Sequence, residues 1–485
     1  MKRRITRRQF LNRAALAAGA LPLAALAAPS RAGQPPMRRP NFLFFLTDDQ
    51  GWGDARTFGH PYLKTVCLDR LASQSARFTQ FYVSSPVCSP SRCTFMTSHY
   101  PARHGIHGHF ADHKANLARH MPDWLDPSVP TVTRLLKEAG YVTGHFGKWH
   151  LGHNPGAPEP GAYGIDDYRT FASNGPQLDW SAPDGPATLT RRILDEAVRF
   201  LRANRDRPFY LNVWTLLPHA PLKPSPEQLA VYKDLLPSAS DPAFGRWMQK
   251  YLAAAKDLTS QMRVYAAAMT DLDTQLGRLL EELERLGLAD DTVVVFSADN
   301  GPEDYRIGNA ASAGVGSTGP LRARKRSLYE GGVRTPLLVR WPGRVQAGRL
   351  DAESVLASAD FLPTVCALAG VAVPADLRPD GEDVGDILLG KPRPRRTAIF
   401  WEWLFGIVGK EYVSPPLAVR DGRWKLLLTP DRRRVELYDI PADPEEDSNV
   451  AAQHPDVVDR LAEAALAWQR SLPPCPLRTN WKKPV

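Results

Sequence analysis

Residues 41–54 read NFLFFLTDDQGWGD, and residues 292–301 read TVVVFSADNG. Each is a continuous apolar run closed by a polar pair, Asp48-Asp49 in the first and Asp299-Asn300 in the second. Short apolar runs bounded by turn formers predict buried strands. Strands buried on both faces belong to parallel sheets covered by helices. Helical spacing fills the intervals. Val132, Leu135, Leu136 and Ala139 lead to Gly140; Ile193, Leu194, Ala197, Val198 and Leu201 mark a second helix. Met262, Tyr265, Met269, Leu272, Leu276, Leu279, Leu283 and Leu286 mark a long helix that feeds the 292–298 strand. YVTGHFG (141–147) and FYLNVWTLL (209–217) read as further strands. The alternation predicts an α/β fold with a mostly parallel central sheet flanked by helices. Ligands of such sheets sit beyond the carboxyl ends of the strands, where both acidic pairs fall.

At 485 residues the chain exceeds what one core usually serves. Between residues 370 and 395 it becomes rich in turns and proline, then gives short strands: TAIFWEW, LAVRDGRWKLLL with Asp421-Gly422 as a hairpin turn, and VELYDI. A helix follows from Pro455. A large domain over 38–385 and a smaller α+β domain over 386–485, with an antiparallel sheet, are expected. Residues 1–32 join a basic start to an Ala/Leu-rich run from Ala14 to Ala28, and Arg7-Arg8-Gln9-Phe10-Leu11 is a twin-arginine pattern. That segment reads as an export signal, which places the mature protein in the periplasm or outside the cell, with no stable membrane insertion. Seven basic residues before residue 33 account for most of the formal net charge of +9, leaving +2. A nearly neutral body argues against nucleic acid. The five cysteines, Cys67, Cys88, Cys93, Cys366 and Cys475, fit no zinc or disulfide framework, and their odd count leaves at least one unpaired within the chain.

Asp48, Asp49, Asp299 and Asn300 make a hard oxygen set, suited to Ca²⁺ or Mg²⁺ rather than zinc. Either pair alone would read as an ordinary polar turn. Together, carboxylates crowded at one sheet end call for a cation. In SSPVCSPSRCTF (84–95), Pro90 fits a helix's first turn and Ser89 can cap it. Cys88 then meets a positive helix end beside Arg92, an anion site.

The pattern C-x-P-S-R after an Asp-Asp strand end resembles the type I sulfatase family. GHFGKWHLG (144–152), LLPHAPL (216–222), FSADNG (296–301), LRARKRSLYEGGVRTPLLVRWPG (321–343) and LYDIPADPEEDSNVA (437–451) resemble that family's other blocks, in its order. The resemblance implies an alkaline-phosphatase-like fold and hydrolysis of sulfate esters. It implies that Cys88 is converted to formylglycine by a maturation enzyme, before twin-arginine export. One Ca²⁺ per chain, with Mg²⁺ the alternative, would be held by Asp48, Asp49, Asp299, Asn300 and residue 88. The implied catalytic set is residue 88, Arg92, Lys148, His150, His219 and Lys325. One hydroxyl of the hydrated aldehyde attacks sulfur, His219 protonates the leaving alcohol with help from Lys325, and His150 takes the second hydroxyl's proton to expel sulfate.

Departures are few. Cys67 stands where the family usually has Asn, and a packing role is expected. Arg324 and Arg326 flank Lys325 and could share its role. Residues 301–319 read as a Gly/Ala/Ser-rich mobile loop. His104, His107, His109, His113 and His120 lack zinc spacing and read as a surface loop or substrate rim. The aromatics of FWEWLFG (400–406) suit strand packing or sugar stacking. A phosphonate or phosphate ester hydrolase of the same superfamily is the nearest alternative, and Asp299-Asn300 in place of Asp-His favours sulfate. A non-catalytic binder of sulfated glycans is the other. Aryl sulfates, sterol sulfates and sulfated glycans all fit as substrate, the last preferred.

Overall fold

The computed structural model describes residues 39–178, 185–304, 312–406 and 412–480. The export segment expected over residues 1–32 lies outside them. Nine strands build the large sheet: β1 (Asn41–Asp48), β2 (Ala76–Tyr82), β3 (Val142–Lys148), β4 (Asp167–Phe171), β5 (Phe209–Pro218), β6 (Thr292–Ala298), β7 (Arg334–Arg340), β8 (Leu350–Asp351) and β9 (Leu356–Ala357). Their order is β4-β3-β5-β1-β6-β7-β2-β8, with β9 also on β2. From β4 to β6 every pairing is parallel, and β7 is antiparallel to both neighbours. This is the expected α/β sheet.

All eight residues of β1 are buried. Because a strand sends alternate side chains to opposite faces, its apolar run feeds two cores. Leu43 and Phe45 face helices 185–203 and 258–285. Phe42, Phe44 and Leu46 face the helices Cys88–Thr97, Val132–Glu138 and Phe361–Ala369.

A separate antiparallel sheet orders β10 (Ile399–Glu402), β11 (Leu417–Asp421), β12 (Trp424–Leu428) and β13 (Val435–Asp439) in sequence. The helix Pro455–Arg470 buries Leu461, Ala462 and Ala465. Phe400 stacks on Trp468 at 5.3 Å, and Trp401 Nε1 donates to the Val83 carbonyl. These aromatics serve packing.

Residues 301–304 and 312–319 are not the mobile loop the composition suggested. Most are buried, with a short turn at Ala313–Val315. A Cβ on Gly301 would lie 1.9 Å from the Gly331 carbonyl oxygen, and one on Gly51 would lie 2.1 Å from that of Ser317. The glycines serve close backbone approach. Among the described residues no helix is long and apolar enough to cross a membrane.

Candidate active site

Thr47 and Ala298 are in register on β1 and β6, so the two polar pairs leave the sheet side by side. Asp49, at φ 62°, turns the chain, and its amide donates to Asp299 Oδ1 at 3.1 Å. Asn300 Nδ2 donates to Asp49 Oδ1 at 2.8 Å. All four side chains are buried.

The helix Cys88–Thr97 points its first turn at these acids. Its cap is Val87, in extended conformation, and no side chain caps it. Ser89 is not the expected cap: it lies inside the first turn, and its Oγ accepts from the Phe110 amide at 3.0 Å. Arg92 stands four residues after Cys88 and so shares its face. Its Nε and Nη2 donate to Asp299 Oδ2 at 2.9 and 2.6 Å, and its Nη1 donates to the Lys148 carbonyl at 2.9 Å. Nη2 also lies 3.5 Å from Asp48 Oδ2, and the guanidinium sits 5.2 Å from the Trp214 ring centre.

Lys148, the last residue of β3, forms an ion pair with Asp48. Lys325 Nζ reaches Asp49 Oδ2 at 2.6 Å and Glu303 Oε2 at 3.2 Å. Its basic neighbours do not share this position. Arg324 donates to the carbonyls of Glu303, Gly314 and Gly316, and Arg326 pairs with Glu303. Sequence reasoning took the carboxylates as unpaired; the structure gives each one a cation.

His150 places Nδ1 3.3 Å from Cys88 Sγ and Nε2 3.1 Å from the Phe110 carbonyl. A carbonyl only accepts, so Nε2 carries the proton and Nδ1 is the free base facing residue 88. Burial, then the charges of Lys148, His109 and Arg92, hold His150 well below its ordinary value and keep it neutral. Burial also pushes the Cys88 thiol up, against the pull of Lys148. An unmodified Cys88 is therefore a poor thiolate nucleophile. His219 donates Nδ1–H to the Ala220 carbonyl at 2.6 Å and turns Nε2 toward Asp49 Oδ2, 3.7 Å away. Burial lowers it, against the pull of Asp49 and Asp48.

Burial works against ionisation of Asp48, but Lys148, His219, Arg92 and Lys325 outweigh it and hold its carboxyl well below the usual range. Burial and the Asp48 charge push Asp299 the other way, up to about 7. The two share Arg92.

A divalent cation fits this donor set. Asp48 Oδ1 and Asn300 Oδ1 are buried with no hydrogen-bond partner, which costs about 1–3 kcal/mol per group unless a positive charge meets them. One ligand atom each from Asp48, Asp49 and His219 also lie within 4.8 Å of one another. Asp299 and Cys88 fall outside that cluster, and Arg92 and the Asp49 amide engage the Asp299 oxygens.

The structure thus brings together Cys88, Arg92, Lys148, His150, His219 and Lys325 around the acid pairs. Sequence reasoning missed Glu303, which joins Lys325 to Arg326. Its one signal was a carboxylate three residues after Asn300. The histidines of 104–120 do not form one surface loop. His107 is buried with Nδ1 3.6 Å from Glu402, His104 Nε2 lies 3.2 Å from His99 Nδ1, and His109 lies 6.4 Å from His150 between ring centres. His113 is exposed and pairs with Asp123. The five cysteines are free thiols, and Cys67 Sγ fills the space beside Gly277, as the packing reading expected.

Residues 40–371 match the family model described as Sulfatase, and residues 323–470 match that described as N-sulphoglucosamine sulphohydrolase, C-terminal. Human N-acetylgalactosamine-6-sulfatase is 32% identical over 413 residues, spanning 75% of this chain and 72% of that protein. The N-acetylgalactosamine-6-O-sulfatase of Bacteroides thetaiotaomicron is 28% identical over 509 residues, spanning 88% of this chain and 92% of that protein. The crystal structure of Ps i-CgsB in complex with k-i-k-neocarrahexaose shares the fold, with a TM-score of 0.72 at 24% identity, covering 89% of this chain and 93% of that one.

Proposed function

This chain belongs to the sulfatase family and is a sulfuric ester hydrolase, and we propose that it acts on carbohydrate or aryl sulfates through an aldehyde hydrate formed from Cys88. The observation that carries this reading is the free Nδ1 of His150, 3.3 Å from residue 88. That nitrogen is a neutral base in contact with residue 88. It suits a residue whose second hydroxyl must give up a proton. When present, the hydrate supplies one hydroxyl to attack sulfur and another whose deprotonation expels sulfate. When bound by Asp48, Asp49, Asp299 and Asn300, one Ca²⁺ supplies positive charge to the sulfuryl oxygens and acidifies the hydroxyl beside it.

The chain's own residues do the rest. Arg92 fixes Asp299 and, with Lys148 and Lys325, sets positive charge where sulfuryl charge grows. His150 accepts the proton at Nδ1, with its ring held by Phe110. His219, tied at Nδ1 to Ala220, presents Nε2, which passes a proton to the leaving alcohol from the imidazolium form that the Asp49 and Asp48 charges favour.

The names of the human and Bacteroides relatives support a sulfated sugar as substrate. In the same reading, residues 38–385 are the catalytic domain and 386–485 the smaller one. A formylglycine-generating enzyme and the twin-arginine machinery are the maturation and export partners, and the enzyme works in the periplasm or outside the cell. The test is mass spectrometry of the Cys88 peptide in matured protein, alongside turnover of nitrophenyl sulfate, N-acetylgalactosamine sulfate and nitrophenyl phosphate. An aldehyde at residue 88, turnover of the sulfates over the phosphate, and a folded but inactive Cys88→Ala are expected. Wild-type rates in Cys88→Ala would refute the reading.

A further inference from the structure

Resting on that reading, we propose that Arg119, together with Arg326, binds a second anionic group, a carboxylate or a sulfate, on the alcohol half of the substrate. A line of side chains leads there from the reacting residue. Cys88 Sγ is 3.3 Å from His150, the His150 ring is 6.4 Å from that of His109, and His109 Nε2 is 3.5 Å from Arg119 Nη1. Arg119 Nη1 also donates to the His109 carbonyl at 3.0 Å, and its guanidinium lies 5.9 Å from the Phe405 ring centre. These contacts aim the guanidinium but leave its charge unanswered. Among the described residues no carboxylate forms an ion pair with Arg119.

Arg326 adds to the same field. Its one ion-pair partner among the described residues, Glu303, also reaches Lys325, which Asp49 holds as well, so Arg326 shares its counter-charge with a second cation. Burial lowers the Arg119 guanidinium from its ordinary value, and repulsion from Arg326 adds to this against the pull of Asp112. Burial also brings His109 down to about 3, with Arg119, Lys325 and Arg326 acting the same way. His109 is therefore a neutral spacer between the catalytic base and the cation. Two like charges that both act on His109, whose ring is 6.4 Å from that of His150, raise the local concentration of an anion that carries a second charge. Because Arg119 is partly exposed, the attraction is screened by salt.

Two matched pairs of probes test this: a coumarin sulfate with a free carboxylate against its ethyl ester, and a disulfated against a monosulfated glucosamine. The readout is the ratio of kcat/KM within each pair at low ionic strength. The matured wild type should favour the doubly charged member of at least one pair by about tenfold, through KM, and the preference should shrink as salt is added. A preference in the coumarin pair identifies a carboxylate, and one in the glucosamine pair identifies a second sulfate. Arg119→Ala should bring the ratio to within about twofold of one, and Arg119→Lys should restore part of it. Wild-type ratios near one in both pairs, or a ratio that survives in Arg119→Ala, would overturn the proposal. No turnover of any of the four probes would instead remove the esterase reading, and this proposal with it.

Discussion

Replacing His150 by Asn should stall turnover after the alcohol has left and before sulfate does. His150 touches residue 88 itself, whereas His219 touches Asp49. On the proposed mechanism the first serves sulfate release and the second the leaving group. Loss of a positioned base costs about 10²–10⁴-fold in rate, roughly 3–5 kcal/mol of barrier. The fold should bear the change. The lost bond to the Phe110 carbonyl is worth about 1 kcal/mol, and position 150 sits at φ 57°, where Asn is far more at ease than Ala. The assay is rapid mixing of matured His150→Asn with nitrophenyl sulfate, following nitrophenol and free sulfate in parallel. A burst of about one nitrophenol per modified chain should precede a slow steady rate equal to sulfate release. Equal slowing of both products with no burst would place His150 at or before S–O cleavage. A kcat close to wild type would remove it from the chemistry.

Gly51→Ala should cost about 1–3 kcal/mol and most of the activity, because its Cβ would meet backbone, 2.1 Å from the Ser317 carbonyl oxygen. Gly59→Ala, at φ 94° with nothing within 4 Å of the new Cβ, should cost only about 1 kcal/mol; equal thermal midpoints and rates for the two variants would contradict the packing argument. Burial opposes protonation of His107, but hydrogen bonds to Cys475 and Glu402 raise it to about 9 from 6.5. A base raised on folding stabilises fully below its unfolded pKa and loses that stabilisation as pH rises through the folded one. The contribution therefore fades between pH 6.5 and about 9, with an upper limit of about 3 kcal/mol. The gap in thermal midpoint between wild type and His107→Gln should close across that window; a gap that stays constant would show that His107 does not titrate there.

The strands that hold the site were legible because their signal is local. An apolar run ending in a polar pair needs no knowledge of the rest of the chain, and β1 and β6 appear where NFLFFLT and TVVVFSA stand. Contacts between distant segments left weaker marks. Gly51, Gly301 and Gly331 are ordinary glycines in the sequence, yet they let residues 301–304 and 312–319 pack closely. The histidines of 104–120 looked like one group because they are neighbours in sequence. Each is placed by a different partner: His107 by Glu402, His113 by Asp123, His109 by Arg119.

Which cation serves which carboxylate was equally invisible, and it separates roles that the residue types only hint at. Arg92 is clamped by Asp299, the Lys148 carbonyl and the Trp214 face. A planar fork held at three sides cannot turn toward a substrate without giving up Asp299, so on the proposed mechanism it holds that carboxylate and lends its charge from a fixed place. Lys148 and Lys325 are point charges on flexible stems, resting on Asp48 and Asp49. Asp48 and Asp49 would also be among the residues holding a cation, whose positive charge there would loosen both ammoniums and leave their charge to the sulfuryl group. The pairing therefore explains how the acids tolerate burial, and why a planar fork suits the clamped position while single ammoniums suit the other two.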